Sequence, residues 1–106
     1  MNNLRLKKLL EIETQKPQDA FLKFAIAQEH VNDGRDGEAR NYFYWLLANS
    51  PDYVPTYYHL GKLLERLNDA KSAANIYMKG VEKAQAVNDL KTAGELREAL
   101  SLLEDE

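Results

Sequence analysis

The sequence predicts an all-α protein built as a row of antiparallel helical hairpins, and three observations predict it. The chain repeats itself with a period of 34 residues, its apolar residues recur at helical spacing, and short segments with proline, glycine or asparagine separate the helical stretches. A period of this length is typical of stacked supersecondary units, which bury their apolar faces against their neighbours. We therefore expect about six helices and no strand.

The period is visible position by position. A shift of 34 residues places Phe24 on Tyr58. The same shift gives six further pairs: Ile26/Leu60, Ala27/Gly61, Gly34/Asn68, Ala39/Ala73, Phe43/Tyr77 and Leu47/Val81. One period upstream, the same alignment extends to Leu9, Ile12 and Pro17, which fall on Phe43, Leu46 and Pro51. The repeat therefore extends beyond two copies at its N-terminal side.

The first half of the chain should contain three helices. Residues 4–14 place leucines on one face and charged residues on another, and Pro17 ends this helix because proline lacks a backbone donor. Asp19 is expected to cap the second helix, which ends at Gly34 in a left-handed cap. Asp36 is expected to cap the third helix, which runs to about Asn49, before Ser50-Pro51.

The second half follows the same plan. A helix is expected from about Pro55 to Leu67, followed by Asn68 in the left-handed position of Gly34. Asp69 should cap the next helix. That helix should be longer than its counterpart, since Gln85 stands one period after Pro51 and does not end it. A last helix carries leucines at residues 90, 96, 100 and 103.

Composition restricts the function classes. The 106 residues are 44% apolar and 29% charged, as expected for one soluble globular domain. The absence of cysteine excludes disulfides, zinc–thiolate sites and thiol catalysis. A net charge of −3 disfavours a nucleic-acid surface, and no apolar stretch is long enough for a signal peptide or a membrane span. The expected localisation is cytoplasmic.

The residues at the repeated positions resemble the tetratricopeptide repeat, a 34-residue helix–turn–helix with a fixed pattern of small and large residues. The pattern is carried by Ile26-Ala27, Ala39, Phe43 and Pro51 in the first copy, and by Tyr57, Leu60-Gly61, Ala73 and Tyr77 in the second. The resemblance implies a right-handed superhelical stack of hairpins. Two positions depart from it: Lys23 stands where a large apolar residue is usual, and Gly80 replaces the larger Leu46.

The resemblance also implies the domain organisation. A single domain, residues 1–106, is expected to contain an N-terminal half-repeat helix at residues 1–17 and two full repeats at residues 20–53 and 54–87. A capping helix at residues 89–104 is expected to cover the last apolar face. This last helix does not keep the period, because Leu60 and Gly61 would fall on Gly94 and Glu95.

By analogy with such repeats, the first helices should line a concave groove that binds a partner peptide or protein segment. The expected groove residues share one helical face, and they are Phe24, Gln28, Val31, Asn32, Tyr58, His59, Lys62, Glu65 and Arg66. The alternative is that Phe24 and Tyr58 only pack on each other between neighbouring helices. Related repeats bind C-terminal carboxylates of chaperones through Lys and Asn, whereas this chain has Phe24, Gln28 and His59 there. We therefore expect no binding of such tails.

A second candidate surface lies around Tyr44 and Trp45, in a run of six apolar or aromatic residues, 42–47, which covers every side of one helix. These two side chains either pack under the N-terminal helix, near Leu6 and Leu10, or form a self-association surface. A structural, homo-oligomerising scaffold is therefore the alternative function, and the chain is expected to be a monomer or a weak homodimer.

No catalytic or cofactor motif accompanies these surfaces. The sequence has no glycine-rich phosphate loop and no nucleophile elbow, and its two histidines, His30 and His59, lack the spacing of a zinc site. The sequence thus predicts a non-catalytic protein-interaction module without a metal or a small-molecule cofactor, and its partner is a protein or peptide of unknown identity.

Overall fold

A computed structural model describes residues 3–104 of the chain, and within this range it consists of six helices and no strand. In chain order they are α1 (Leu4–Gln15), α2 (Ala20–Asn32), α3 (Asp36–Asn49), α4 (Pro55–Arg66), α5 (Ala70–Ala86) and α6 (Leu90–Glu104). The predicted all-α class is confirmed. The helices group into two compact units, one within Met1–Ser50 and one within Pro51–Glu106. No helix in the described range is both long and apolar enough to cross a membrane.

The first unit packs α1 and α3 against α2. Leu6 of α1 joins Leu22 and Ile26 of α2 in a buried cluster, and Leu9 and Tyr42 pack against its edge. The start of α1 is fixed by Asn3, whose side chain accepts a hydrogen bond from the Leu6 amide at 2.9 Å. Part of the apolar face of α1 therefore packs against the apolar face of α2, whereas Leu4 and Leu10 of α1 stay exposed.

The second unit packs α5 against both α4 and α6. Leu60 and Leu64 of α4, Tyr77 of α5 and Leu96 of α6 are almost completely buried. Helix α6 also contacts α4 directly. The last helix thus covers the apolar side of the α4–α5 hairpin and brings its own outer residues beside those of α4.

Three of the five turns between helices, those of α2–α3, α4–α5 and α5–α6, share one backbone feature. Gly34, Asn68 and Asn88 each have a positive φ, of 74°, 63° and 60° respectively. In the second unit the next residue, Asp69 or Asp89, accepts a hydrogen bond from the backbone amide three residues later. The prediction that Asn68 takes the left-handed position of Gly34 is therefore confirmed.

The expected cap of α3 was wrong by one residue. Asp36 is the first residue of the helix, and Arg35 occupies the cap without a side-chain hydrogen bond. The left-handed residue sets this register, because Arg35 stands one period before Asp69, directly after Gly34. Asp36 and Glu38 instead lie in the first turn of the helix, where negative charge suits the helix dipole.

Two glycines of the second unit allow close helix packing. A Cβ atom at Gly61 would overlap the ring of Tyr77, and one at Gly80 would lie 2.5 Å from Tyr57 Cβ and 2.9 Å from Leu96 Cδ1. Gly80 therefore marks the place where α4, α5 and α6 meet. The departure from the repeat pattern at this position has a packing cause, since Tyr57 takes the space that a larger residue would need.

Candidate functional site

The predicted groove residues of the first unit lie on α2 at different depths. Phe24, Gln28 and Val31 are half-buried, and Asn32 is exposed at the end of the helix. The Phe24 ring lies 6.1 Å from that of Phe43 on α3, in a tilted arrangement. Phe24 therefore contributes to packing between the two helices of its own hairpin.

The predicted residues of the second unit form a connected group on α4. Lys62 Nζ lies 5.4 Å from the centre of the Tyr58 ring and 3.7 Å from Glu65 Oε2. The Tyr58 ring makes an edge contact with His59, at 5.7 Å between centroids. Arg66 is exposed in the last turn of the helix. Lys62 links the ring of Tyr58 to the carboxylate of Glu65.

The aromatic contact between the two helices of a hairpin is repeated in the second unit. Tyr58 lies 6.5 Å from Tyr77, and these residues are one period after Phe24 and Phe43. The Tyr77 hydroxyl donates a hydrogen bond to Glu65. Burial, reinforced by that hydrogen bond, raises the pKa of Tyr77 well above its usual range, so its hydroxyl stays protonated. Glu65 is thereby held toward α5.

A pocket of about 230 Å³ opens between α4 and α6. We call it the α4–α6 pocket, and it is lined by Tyr58, Lys62, Glu95, Glu98, Ala99 and Leu102. Leu102 is 59% exposed, an unusual state for a leucine, whereas Ala99 is buried. One wall therefore combines apolar surface with two carboxylates, and the opposite wall offers an aromatic ring and an ammonium group.

The sequence did not identify the α6 residues of this pocket. The sequence predicts only a capping role for α6, because this helix leaves the 34-residue period, and that prediction assigns no role to its polar face. A signal was nevertheless present: Glu95, Glu98 and Leu102 recur at spacings of three and four, which places them on one helical face away from the buried Leu96. Their position beside α4 depends on how α6 packs.

The aromatic run in α3 is only partly covered. Tyr42, and not Trp45, is the aromatic side chain that packs against the Leu6 cluster. Tyr44 is 42% exposed, whereas Trp45 is half-buried. Leu10, which was expected to help cover these rings, is itself exposed.

Lys23 explains how Trp45 is held. Its ammonium nitrogen lies 4.7 Å from the centre of the Trp45 ring and 2.8 Å from Glu13 Oε2. Glu13 also accepts a hydrogen bond from the Tyr42 hydroxyl at 3.0 Å. Burial is the larger cause and this hydrogen bond the second cause that raise the pKa of Tyr42 to about 12. We call Glu13, Lys23, Tyr42 and Trp45 the Lys23 cluster. It joins all three helices of the first unit.

Neither histidine belongs to a metal site in the described part of the chain. No group of three metal-ligating side chains occurs within residues 3–104. His30 is buried against the Tyr42 ring, and its Nδ1 has no hydrogen-bond partner there. Burial lowers the pKa values of both His30 and His59, so both imidazoles are neutral at pH 7.

Comparison with known proteins connects this arrangement to solved structures. No protein-family model and no curated protein matches the sequence. The crystal structure of a tetratricopeptide repeat domain protein from Salinibacter ruber is 40% identical to this chain, with a TM-score of 0.79, and the match covers 82% of this chain and 97% of that one.

Two solution structures agree with this similarity. The solution structure of the Salinibacter ruber protein gives a TM-score of 0.81 at the same 40% identity, covering 84% of this chain and 90% of that one. A protein from Bordetella parapertussis shares the fold at 22% identity, with a TM-score of 0.83, covering 99% of this chain and 90% of that one. The identity to the Salinibacter ruber protein, across nearly its whole length, shows that this chain belongs to the tetratricopeptide repeat family.

Proposed function

We propose that this chain is a non-catalytic protein-interaction module that binds a segment of a partner protein at the α4–α6 pocket. Its similarity to a tetratricopeptide repeat domain protein supports a protein-interaction role in general. The pocket itself carries the more specific proposal. An aromatic ring, an exposed leucine and charged groups converge there from two helices, and protein interfaces favour such aromatic and apolar anchors with a polar rim.

The chemistry of the pocket suits recognition rather than catalysis. Within the described residues the pocket has no nucleophile paired with a base, and its carboxylates face an open surface. Its volume, about 230 Å³, lies below the roughly 300–1,000 Å³ that is typical of small-molecule sites. A pocket of this size suits one or two side chains of a bound segment.

The association surface expected around Tyr44 and Trp45 has less support. Trp45 already packs against the Lys23 ammonium group, which satisfies part of its surface inside the first unit. Of these two rings only Tyr44 is exposed, and single exposed aromatic residues are normal on protein surfaces. We therefore place the binding surface on α4 and α6.

Affinity capture from an extract of the cells that produce the protein tests this function. Tyr58→Ala and Leu102→Ala each remove an apolar anchor from the pocket, and both should lose the proteins retained by the unaltered chain. Met78→Ala is the matched control, because Met78 is 47% exposed on α5 and does not line the pocket. Recovery of the same proteins by all four forms would contradict the proposal, provided that circular dichroism shows equal folding.

A further inference from the structure

We infer that the α4–α6 pocket receives a cationic side chain, a lysine or arginine of the partner segment, with Glu95 and Glu98 as its counter-charges. This inference rests on the proposed function, because it names the chemistry of the partner at the same pocket. It adds the positive charge of the partner's side chain and the two residues that bind it, Glu95 and Glu98. Neither the tetratricopeptide fold nor the similarity to the Salinibacter ruber protein provides these.

The carboxylates of the pocket outnumber its cations. Glu95 and Glu98 are exposed, lie three residues apart on the same face of α6, and form no ion pair within the described residues. Among the described residues Lys62 is the only basic one that lines this pocket, and its Nζ is already 3.7 Å from Glu65 Oε2. The charges of Lys62 and Glu65 therefore offset each other, and the two carboxylates of α6 remain uncompensated.

The repulsion between these two carboxylates favours a bound cation. Like charges on adjacent turns of a helix destabilise it slightly, and a cation between them relieves that cost. The Tyr58 ring already has one ammonium group over it, that of Lys62 at 5.4 Å, so we assign the incoming cation to the two carboxylates of α6 and not to the ring. An acidic side chain would instead meet two carboxylates of its own sign.

The apolar part of the pocket fits the remainder of such a side chain. Lysine and arginine carry an aliphatic stem that packs on apolar surface while the charged group stays hydrated. Ala99 and the exposed Leu102 provide that surface on α6, and the ring of Tyr58 faces them from α4. A neutral apolar side chain would use only this half of the pocket.

The second half of the sequence has a net negative charge, the same sign as the two carboxylates of the pocket. Residues 51–106 contain seven basic and ten acidic residues, whereas residues 1–50 contain seven of each. The net charge of −3 therefore arises entirely from the half that carries the pocket. A field of one sign attracts partners of the opposite sign during diffusional encounter.

Nuclear magnetic resonance titration of the ¹⁵N-labelled chain tests the inference. The probes are three acetylated and amidated peptides of leucine and alanine that differ only at two positions, which carry lysine, glutamine or glutamate. The lysine peptide should shift the amide signals of residues 58–62 and 95–102. Its binding should be the tightest of the three and should weaken as salt increases, because added ions screen exposed charges.

Charge-removing variants identify the counter-charges. Glu95→Gln combined with Glu98→Gln should weaken binding of the lysine peptide by roughly 5- to 10-fold, the effect of losing two exposed ion pairs. The matched control combines Glu82→Gln with Glu104→Gln, which removes two exposed carboxylates outside the pocket and should leave the dissociation constant unchanged. All four glutamates are exposed, so both double variants should keep the unfolding midpoint of the parent chain.

The possible outcomes separate the two proposals. If the glutamine or glutamate peptide binds this pocket as tightly as the lysine peptide, the inference of a cationic side chain fails while the proposed binding site stands. The same conclusion follows if the Glu95/Glu98 double variant binds the lysine peptide unchanged. If none of the peptides shifts the signals of α4 or α6, the inference and the proposed site both fail.

Discussion

At some equivalent positions the hairpin α2–α3 has an apolar side chain and the hairpin α4–α5 has a polar one. Val31 and Phe43 of the first hairpin correspond to Glu65 and Tyr77 of the second. There the carboxylate of Glu65 accepts a hydrogen bond from the Tyr77 hydroxyl. An isolated buried hydroxyl or carboxylate would cost free energy, so the two polar groups are useful only together. The two positions keep their places in the repeat, and both become polar together in the second hairpin.

His30 lacks such a compensating partner. It is 5% exposed on α2, one period before the buried Leu64, and its Nδ1 makes no hydrogen bond within the described residues. Burial lowers the pKa of this imidazole below its usual range, so the folded state takes up a proton at lower pH than the unfolded state does. The stability contribution of neutral His30 is therefore present at neutral pH and is lost as the pH falls.

We expect His30→Leu to reduce the loss of stability on acidification. Between the folded and unfolded pKa values the unfolded chain binds more protons, so the free energy of unfolding decreases as the pH falls through about 6.5. Urea unfolding of both forms at pH 7.5 and 5.5 measures this slope. His59, whose pKa is also lowered by burial, accounts for part of the remaining slope. Equal slopes in the two proteins would contradict the prediction.

The Lys23 cluster makes a second prediction at the scale of single residues. Glu13 accepts bonds from both Lys23 and Tyr42, and the Lys23 side chain is only 11% exposed. Glu13→Gln would leave this ammonium group without its counter-charge, and we expect a loss of about 1–2 kcal/mol in the free energy of unfolding. Chemical unfolding monitored by Trp45 fluorescence measures it.

The matched control for this prediction is Glu11→Gln. Glu11 is an exposed residue of the same helix, and its side chain is outside the cluster. This substitution should change stability by less than about 0.5 kcal/mol. If Glu13→Gln is no more destabilising than Glu11→Gln, the Lys23 cluster does not stabilise the first unit.

At the scale of elements, the helix boundaries follow local chemistry that is visible in the sequence. Gly34, Asn68 and Asn88 take the left-handed conformation that ends one helix and positions the next. Helix α5 has 17 residues against 14 for α3, as the absence of a proline at residue 85 predicted. The prediction that Asp36 caps α3 was wrong, because the turn after Gly34 places Arg35 at the cap despite the preference of aspartate for that position.

Gly80 was unexplained by the sequence, and its role depends on three helices meeting. We expect Gly80→Ala to destabilise the chain by about 1–3 kcal/mol, because a Cβ atom would press on Tyr57 and Leu96 in a packed core. Thermal and urea unfolding measure the effect. This substitution tests whether α4, α5 and α6 approach as closely as their packing here indicates.

Gly94→Ala provides the matched control on α6. A Cβ atom at Gly94 would have no neighbour within 4 Å. Replacing a helical glycine by alanine in open space should therefore increase stability by about 0.5–1 kcal/mol. Opposite signs for the two substitutions are the expected result, and a neutral or stabilising Gly80→Ala would refute the close approach.

At the scale of the whole molecule, the distribution of charge bears on which partners bind. The excess of acidic residues lies in residues 51–106, and the pocket of the second unit carries two carboxylates that form no ion pair within residues 3–104. The resemblance to carboxylate-binding tetratricopeptide repeats would also require Lys and Asn where this chain has Phe24 and Gln28. Both observations disfavour an acidic ligand.

An acidic C-terminal peptide of the chaperone type should therefore not bind with a micromolar dissociation constant. The exposed carboxylates of the pocket repel it, and the basic and amide side chains that would hold its terminal carboxylate are replaced. Isothermal titration calorimetry with the free-acid peptide checks this, and the same peptide with an amidated C-terminus is the control. Micromolar binding that disappears on amidation would overturn the prediction.

The sequence by itself determined the class of the fold, the helices and their order, because these follow from period, capping residues and turn residues that act over a few positions. It also identified Tyr58 and Lys62 of the candidate site, since they share one face of one helix. Only the tertiary structure brought Glu95, Glu98 and Leu102 beside them, and only it paired Lys23 with Glu13 and Trp45. The physical reason is that a helix face is set by local spacing, whereas the neighbour of that face is set by side-chain packing between helices.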